Sequence, residues 1–573
     1  QWPGWRWRAI WSSSPNIFAA TGHRTLLAAT LAVAACGRGA VEPAPPGPLA
    51  AAESLYLELR DVRDRIDVTA AAARDTARDG TPVATLAARH HDLRRAVVAR
   101  LAAVDSAALR ADDRRALGVM RRALESALAP ISPAGDRTAA AAEQRPDCEY
   151  DPGLIARSVR GADSLRARIY ACYGWAQHHV LVGADTLDRL TVFAELARTE
   201  DRDQRRRLFL ALDPVWRSVN RDNGPASPYR TLIALDSRAR DRDAIARDAR
   251  LAGVPPDSVE PWLLAILAAW RDAAPDSLIE PWDWHYLAGR PARELGARVP
   301  RDRLAELNAA VYRAVGADPG RLRVLYDLEP REGKTPVAFC TFGARPRLVA
   351  GRWTPGEPSV FATYRTGGLD NLAELLHETG HAIHIAAIRT RPAFTDWPDS
   401  DPFTEAVADF VALDVSEPAW QQRWLGDSVP LADGLRSRYA GIVLDVAWSL
   451  LELRMLREPT ADPNQVWTGL ASRYLRIRPH PELSWWAMRG QLVDAPGYMM
   501  NYAMGAILIA ALRDRAVELR GPWLAGDAGW YPWISERLFR FGLERPTREV
   551  VEGFLDGPVT PAALLEDMAR MNR

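Results

Sequence analysis

The sequence has no surplus of either charge. In 573 residues, 73 Lys+Arg stand against 73 Asp+Glu, with a pI near 7.3. A nucleic-acid binder neutralises phosphates with a basic excess, so this balance argues against that class. Lysine is almost missing: Lys334 is the single one, a coding bias toward arginine without functional weight. Long apolar runs are missing too. The stretch from Thr25 to Cys36 has about ten apolar residues, half of the roughly 20 that a spanning helix needs. Cysteine is scarce, with four in the chain. Cys148 and Cys172 are candidates to pair in an oxidising compartment, and Cys340 for a buried free thiol. Aromatics are not scarce: 21 Trp, 14 Tyr and 12 Phe supply enough apolar surface to exclude extensive disorder.

The short apolar run behind Arg24 ends in small residues and reads as the h-region of a signal peptide over 1–35. Val33-Ala34-Ala35-Cys36 resembles a bacterial lipobox, which implies lipidation at Cys36. Residues 1–20, with Trp2, Trp5, Trp7 and Trp11, read as a spurious upstream extension. Residues 36–50, rich in Pro and Gly, form a tether. The expectation is an exported lipoprotein, periplasmic or anchored at the outer membrane, whose only membrane attachment is its lipid.

From residue 51 onward the pattern is helical. Leu55, Leu59, Val62 and Ile66 recur at steps of four, three and four. Further helical stretches are expected over 84–108, 112–129, 154–182, 186–220, 241–250 and 257–272. Strand signals are few (321–328, 337–342 and 359–363) and cluster just before residue 370. The fold class is therefore mainly α, with a small β-sheet beside the helix described next. A helical N-terminal lobe is expected over 51–330 and a second lobe, carrying the chemistry, over 331–573.

That helix carries His377-Glu378-Thr379-Gly380-His381. Residues four apart lie one turn apart on one face, so both imidazoles can reach one Zn²⁺. Glu378 follows the first histidine directly. Its carboxylate falls beside the metal without ligating it, where a base for activated water is needed. Catalytic zinc usually takes three protein ligands. His384 is excluded as the third, because along one helix it lies about 10.5 Å from His377; a site wall or packing role is left for it. Glu405 is the better candidate. Asp401 with Pro402 at the first helical position opens a new helix, and Glu405 falls in its early turns. Asp409, one turn further, can accept the second N–H of a ligating imidazole. The competing reading is a pair of solvated helical faces.

His-Glu-x-x-His with a Glu on the following helix resembles the gluzincin metallopeptidases. His377 to His384, with Pro336-Val337-Ala338-Phe339-Cys340-Thr341 upstream, is similar to the thimet oligopeptidase and oligopeptidase F group. Glu405 to Pro418, and the 24-residue step from His381 to Glu405, are closer to the angiotensin-converting-enzyme group. The resemblance implies a two-lobed helical metallopeptidase with a deep central cleft, one zinc per chain, and short peptides as substrates. It further implies substrate lying as an added strand along the edge at 337–342, with Ala338 giving backbone hydrogen bonds and His384 at the site wall. In Gly497-Tyr498-Met499-Met500-Asn501-Tyr502, it implies that one or both tyrosines donate to the developing oxyanion. Two core tyrosines are the bland alternative.

The departures bear on specificity. The converting enzymes carry a Lys and a His before their tyrosines, to hold a substrate carboxylate; 486–496 has neither. Pro336 stands where that group has a further histidine, and Asn501 where it has a chloride-binding arginine. These departures weigh against release of C-terminal dipeptides and against chloride dependence, while both the oligopeptidase and the peptidyl-dipeptidase types stay open, and Arg489 is one of many arginines that could hold a carboxylate. The expected function is zinc-dependent hydrolysis of short peptides by a monomer. The alternative is a catalytically silent peptide-binding lipoprotein of the same fold.

Overall fold

The computed structural model describes residues 48–72, 74–126, 128, 146–149, 161–238, 243–274, 277–331, 334, 338–349 and 351–572. The expected signal segment, most of the tether, Cys36, Pro336 and Val337 lie outside the described residues. No described helix is long and apolar enough to cross a membrane.

The first three helices, α1 (Ala50–Ala71), α2 (Val83–Ala102) and α3 (Ala111–Glu125), pack around their own apolar core. The four-three-four spacing explains why: Leu59, Val62 and Ile66 are buried on one stripe of α1, against Leu93 and Val97 of α2 and Met120 of α3. Ala393 and Phe394, from far along the chain, complete this core. A second and larger core runs from α4 (Gly161–His178) to the C-terminus. Cys148 is bonded to Cys172 of α4, Cα–Cα 5.8 Å, and Cys340 is a buried free thiol.

Two long helices expected over 154–182 and 186–220 are divided further. A hairpin, β1 (Val180–Val182) with β2 (Asp185–Leu187), turns at Gly183, whose φ of 64° suits a residue without Cβ. Three short helices follow, Arg189–Arg198, Arg202–Leu210 and Asp213–Asn220. Asp188 and Asp201 cap the first two, accepting from the backbone N–H of Thr191 and Gln204, and Pro214 opens the third.

The expected small sheet is present. Its strands are β3 (Leu325–Asp327), β4 (Phe339–Ala344) and β7 (Glu357–Phe361), in the order β3-β7-β4. β7 runs parallel to β3 and antiparallel to β4, with Cys340 opposite Val360. An unexpected hairpin, β5 (Arg347–Val349) with β6 (Arg352–Thr354), leaves from the end of β4. Helix α5 (Leu369–Ala387) lies against β4 and β7, and α6 (Asp401–Ala412) lies against α5. Two long helices, α7 (Leu431–Arg457) and α8 (Met500–Arg520), pack together, and α8 also packs along α6. The mainly helical body with a small sheet beside α5 is as expected from the sequence.

Candidate metal centre

Helix α5 begins at Leu369 behind Gly368, with Asp370 inside its first turn. Its inner face is apolar, with Leu372, Leu375, Leu376 and Ile383 buried. The backbone is pinned by buried tyrosines: Tyr312 donates to the Leu376 carbonyl, and Tyr531 to the Ile383 carbonyl at 2.9 Å. At Gly380 the neighbouring helix comes unusually near. A Cβ built there would lie 2.2 Å from the Ala408 carbonyl oxygen. Helix α6 is started by Ser400, whose hydroxyl accepts from Phe403 N–H at 3.4 Å, with Pro402 in its first turn. The close crossing brings α6 carboxylates to the α5 histidines.

His377, His381 and Glu405 form one group, with one ligand atom of each within 4.8 Å of the others. Among the described residues, this is the one such group of three or more His, Cys, Asp or Glu. His377 Nε2 lies 3.6 Å from Glu405 Oε2. Its other nitrogen, Nδ1, lies 2.7 Å from Asp409 Oδ1. With Nδ1–H donating to Asp409, Nε2 is the nitrogen turned toward Glu405 and the one that would ligate a metal. The two imidazole rings are 4.8 Å apart and nearly perpendicular.

Glu378 is buried, and its Oε2 has no hydrogen-bond partner. Burial pushes its carboxyl up to about 8; His377 opposes this, and the nearby acids Glu374, Glu405 and Asp409 add to it. Partial burial works against a charged His377, yet Asp409 and Glu405 outweigh it and hold the ring well above the usual histidine range. A pocket that crowds acids around two imidazoles, and leaves a buried carboxylate oxygen unbonded, is complementary to a cation. Tetrahedral zinc with bonds of about 2.0–2.2 Å spaces its ligands roughly 3.3 Å apart. The His377–Glu405 pair, at 3.6 Å, is near that spacing, and the group as a whole, within 4.8 Å, fits zinc once its wider separations close.

His384 is placed elsewhere. It has no exposed surface and sits among the rings of Phe539 (5.3 Å), Trp397 (5.8 Å) and Phe403 (6.1 Å). That is a packing site, so a substrate contact for His384 is set aside. Ala338, buried just before β4, is at the outermost strand, which pairs only with β7 among the described residues. Tyr498 and Tyr502 have ring centroids 6.1 Å apart. Tyr502 approaches α6 because Gly505, one turn later, lets the two helices touch: a Cβ there would be 3.2 Å from the Pro402 carbonyl and 3.5 Å from Glu405 Cβ. Burial, and then the Glu405 carboxylate, push the Tyr502 phenol above its usual range.

The structure adds residues that sequence reasoning missed. Trp397, in the connection between α5 and α6, stacks edge-on against His381 at 5.6 Å. Arg489, which the sequence offered as one of many arginines able to hold a carboxylate, lies over the Tyr502 ring at 4.9 Å and pairs with Asp445 at 3.0 Å. Gly380 and Gly505 set the helix separations, and a glycine inside a helical pattern is the one signal that pointed to them.

No family model matches the sequence, and no curated protein matches it. Solved structures do match the fold. An oligoendopeptidase F structure aligns over 91% of this chain and 96% of its own, at 16% identity and a TM-score of 0.53. A PZ peptidase A structure, determined with an inhibitor, covers the same shares at 15% identity and a TM-score of 0.54. The chain has their fold. An M32 carboxypeptidase from Deinococcus radiodurans aligns over 91% of this chain and 99% of its own, at 14% identity and a TM-score of 0.52. The similarity to the helical peptidases seen in the motifs thus extends over nearly the whole chain at the level of fold.

Proposed function

We propose that this chain is a zinc-dependent peptidase acting on short peptides. The observation that carries the reading is the convergence of His377, His381 and Glu405 within 4.8 Å, with the free Glu378 oxygen buried beside them. His377, His381 and Glu405 would hold the ion, which when bound supplies Lewis-acid polarisation of the scissile carbonyl and acidification of a water. Asp409 keeps the His377 ring in its ligating tautomer and orientation. Glu378 accepts the proton of the attacking water and delivers it to the departing amine. The phenol of Tyr502, with Tyr498 beside it, donates a hydrogen bond to the oxygen on which negative charge develops; loss of one such donor typically costs about 3–4 kcal/mol. The outer edge of β4, beginning at Ala338, offers backbone groups to an extended peptide. Oligopeptidase and peptidyl-dipeptidase modes both remain within this reading.

The second reading is a peptide-binding protein without activity, and the intact Glu378 speaks against it, since binding alone has no use for a base. Metal analysis with a quenched-peptide assay, with and without chelator, separates the two. The expected result is one zinc per chain and cleavage that chelator abolishes. Glu378→Gln should keep its zinc and lose at least about 100-fold in rate. Unchanged cleavage by that variant would remove Glu378 from its role.

We also propose that the protein works outside the cytoplasm, held to a membrane by lipid on Cys36. A disulfide between Cys148 and Cys172 suits an oxidising compartment. Metabolic labelling with a fatty-acid analogue, lost in Cys36→Ser, is the test.

A further inference from the structure

Helix α7 carries four polar or amphipathic side chains, Asp445, Trp448, Ser449 and Glu452, at the i, i+3, i+4, i+7 spacing of a single helical face. All four reach the same stretch of chain, residues 486–499, which leads into α8. Asp445 pairs with Arg489 at 3.0 Å, and Trp448 Nε1 donates to the Trp486 carbonyl at 2.9 Å. The Ser449 hydroxyl shares its one proton between the Met499 carbonyl at 2.9 Å and the Asp445 carbonyl of its own helix at 2.7 Å. Glu452 receives two backbone donors, Gly497 N–H on Oε1 at 2.7 Å and Met499 N–H on Oε2 at 3.1 Å.

Glu452 is the member that calls for an explanation. It is 1% exposed, and among the described residues it forms no ion pair, although the charge of Arg166 acts on it from further off. Burying a carboxylate without a cation is costly, and it persists only where its hydrogen bonds compensate. Here both oxygens are committed to one turn. Gly497 takes a φ of 81° in that turn, and Met499 is the N-cap of α8, whose first turn receives no side-chain cap of its own. The two Glu452 oxygens therefore act as a cap supplied from another helix, accepting from the backbone N–H groups that lead into the N-terminus of α8. Tyr498 lies between the two residues it holds, and Tyr502 lies three residues beyond Met499.

We infer that Glu452 is a positioning residue: from α7 it fixes the 497–499 turn, and through that turn the placement of the Tyr498 and Tyr502 phenols over the metal centre. The inference rests on the peptidase reading above, and in particular on phenolic donation to the reacting carbonyl. Substitution by Gln replaces one acceptor oxygen with an NH₂ group that faces a backbone N–H. The turn then loses one bond and gains a repulsive contact, while every proposed zinc ligand and Glu378 stay in place.

The test uses the zinc-loaded full chain and a quenched peptide, with kcat and KM measured separately. Glu452→Gln is expected to lower kcat about tenfold or more with KM within about twofold, and to leave zinc content and helical circular dichroism unchanged. Ser449→Ala, the milder change to the same turn, should lower kcat by a few-fold. On a background of Tyr498→Phe with Tyr502→Phe, Glu452→Gln should add no further loss, because its effect passes through those hydroxyls. Amide hydrogen exchange gives a readout independent of turnover: the Gly497 and Met499 amides should exchange at least tenfold faster in Glu452→Gln. Wild-type kcat in Glu452→Gln, an undiminished further loss on the Phe background, or unchanged exchange at both amides would each overturn the inference. A wild-type zinc-loaded chain that cleaves no peptide would instead overturn the peptidase reading, and the exchange measurement would still decide whether Glu452 holds the turn.

Discussion

Replacing Gly380 by alanine tests whether the metal centre depends on the near contact of α5 and α6. The new Cβ would fall 2.2 Å from the Ala408 carbonyl oxygen, 2.8 Å from its carbonyl carbon and 2.8 Å from its Cα. All three are backbone atoms, so no side chain can swing away and the helices must part by about 1 Å to restore ordinary contact. Over-packing of this kind typically costs about 1–3 kcal/mol, against which the better helix propensity of alanine returns about 1 kcal/mol. Metal binding should suffer more than stability. His377 and His381 lie on one helix and Glu405 on the other, and the His377–Glu405 gap of 3.6 Å is already near the roughly 3.3 Å that tetrahedral zinc imposes. We expect zinc affinity to fall by tenfold or more, measured by competition with a chromophoric chelator, with a modest loss in thermal stability. Gly441→Ala in α7 is the matched control. Nothing lies within 4 Å of its Cβ position, so it should gain about 0.5–1 kcal/mol and keep its zinc affinity. Wild-type zinc affinity in Gly380→Ala would refute the view that helix separation, and not only ligand identity, builds the site.

Asp409→Asn should weaken zinc binding or turnover by about 10–100-fold while leaving the fold intact, because an amide can no longer insist on the Nδ1–H tautomer of His377; equal affinities by chelator competition would refute it. His90, buried in α2 with its Nε2 unbonded, is lowered to about 4 chiefly by burial, with the charges of Arg63 and Arg94 adding to it. Its unfolded-state value of 6.5 is higher, so the folded chain resists its protonation. The associated stability is complete above pH 6.5 and is lost as pH falls toward 4, by about 3 kcal/mol in all. His90→Gln should flatten that part of the stability-versus-pH curve, and an unaltered acid limb in denaturant titrations would show that another group is responsible.

How far the sequence could be read depended on whether the information was local. The two histidines and Glu378 share one helix, whose rise and twist are fixed, so their convergence follows from spacing alone. Glu405 and Asp409 required a second helix, and Pro402 marked its start; their distances to His377 needed the crossing at Gly380, which no spacing encodes. The division of 186–220 was hidden because Asp188 and Asp201 fit the polar side of a continuous amphipathic pattern, while in the structure they cap. The β5–β6 hairpin gave no strand signal because its apolar residues face outward: Leu348 is 60% exposed and Val349 52%. Nearness in sequence to the ligands left His384 either a site wall or a packing role, and the turn of the helix carries it into an aromatic box. Glu452 was invisible, since its partners are backbone amides with no side-chain signature.

The connection between α5 and α6 has a consequence for how the molecule is assembled. Phe394 in this connection belongs to the core of the first three helices, and Arg391 pairs with Glu53 of α1 at 2.8 Å. Arg345, just past the end of β4, is buried: its backbone N–H donates to Asp61 of α1 at 3.0 Å, and its side chain to the Thr395 carbonyl at 3.0 Å. The segment that joins the two ligand-bearing helices is thus fastened to the opening residues of the described chain, more than 300 positions earlier. Closing so long a loop is entropically slow, and it belongs late in a folding sequence. On the function proposed above, a growing polypeptide would therefore complete the His377, His381 and Glu405 group only after its beginning and its middle have met.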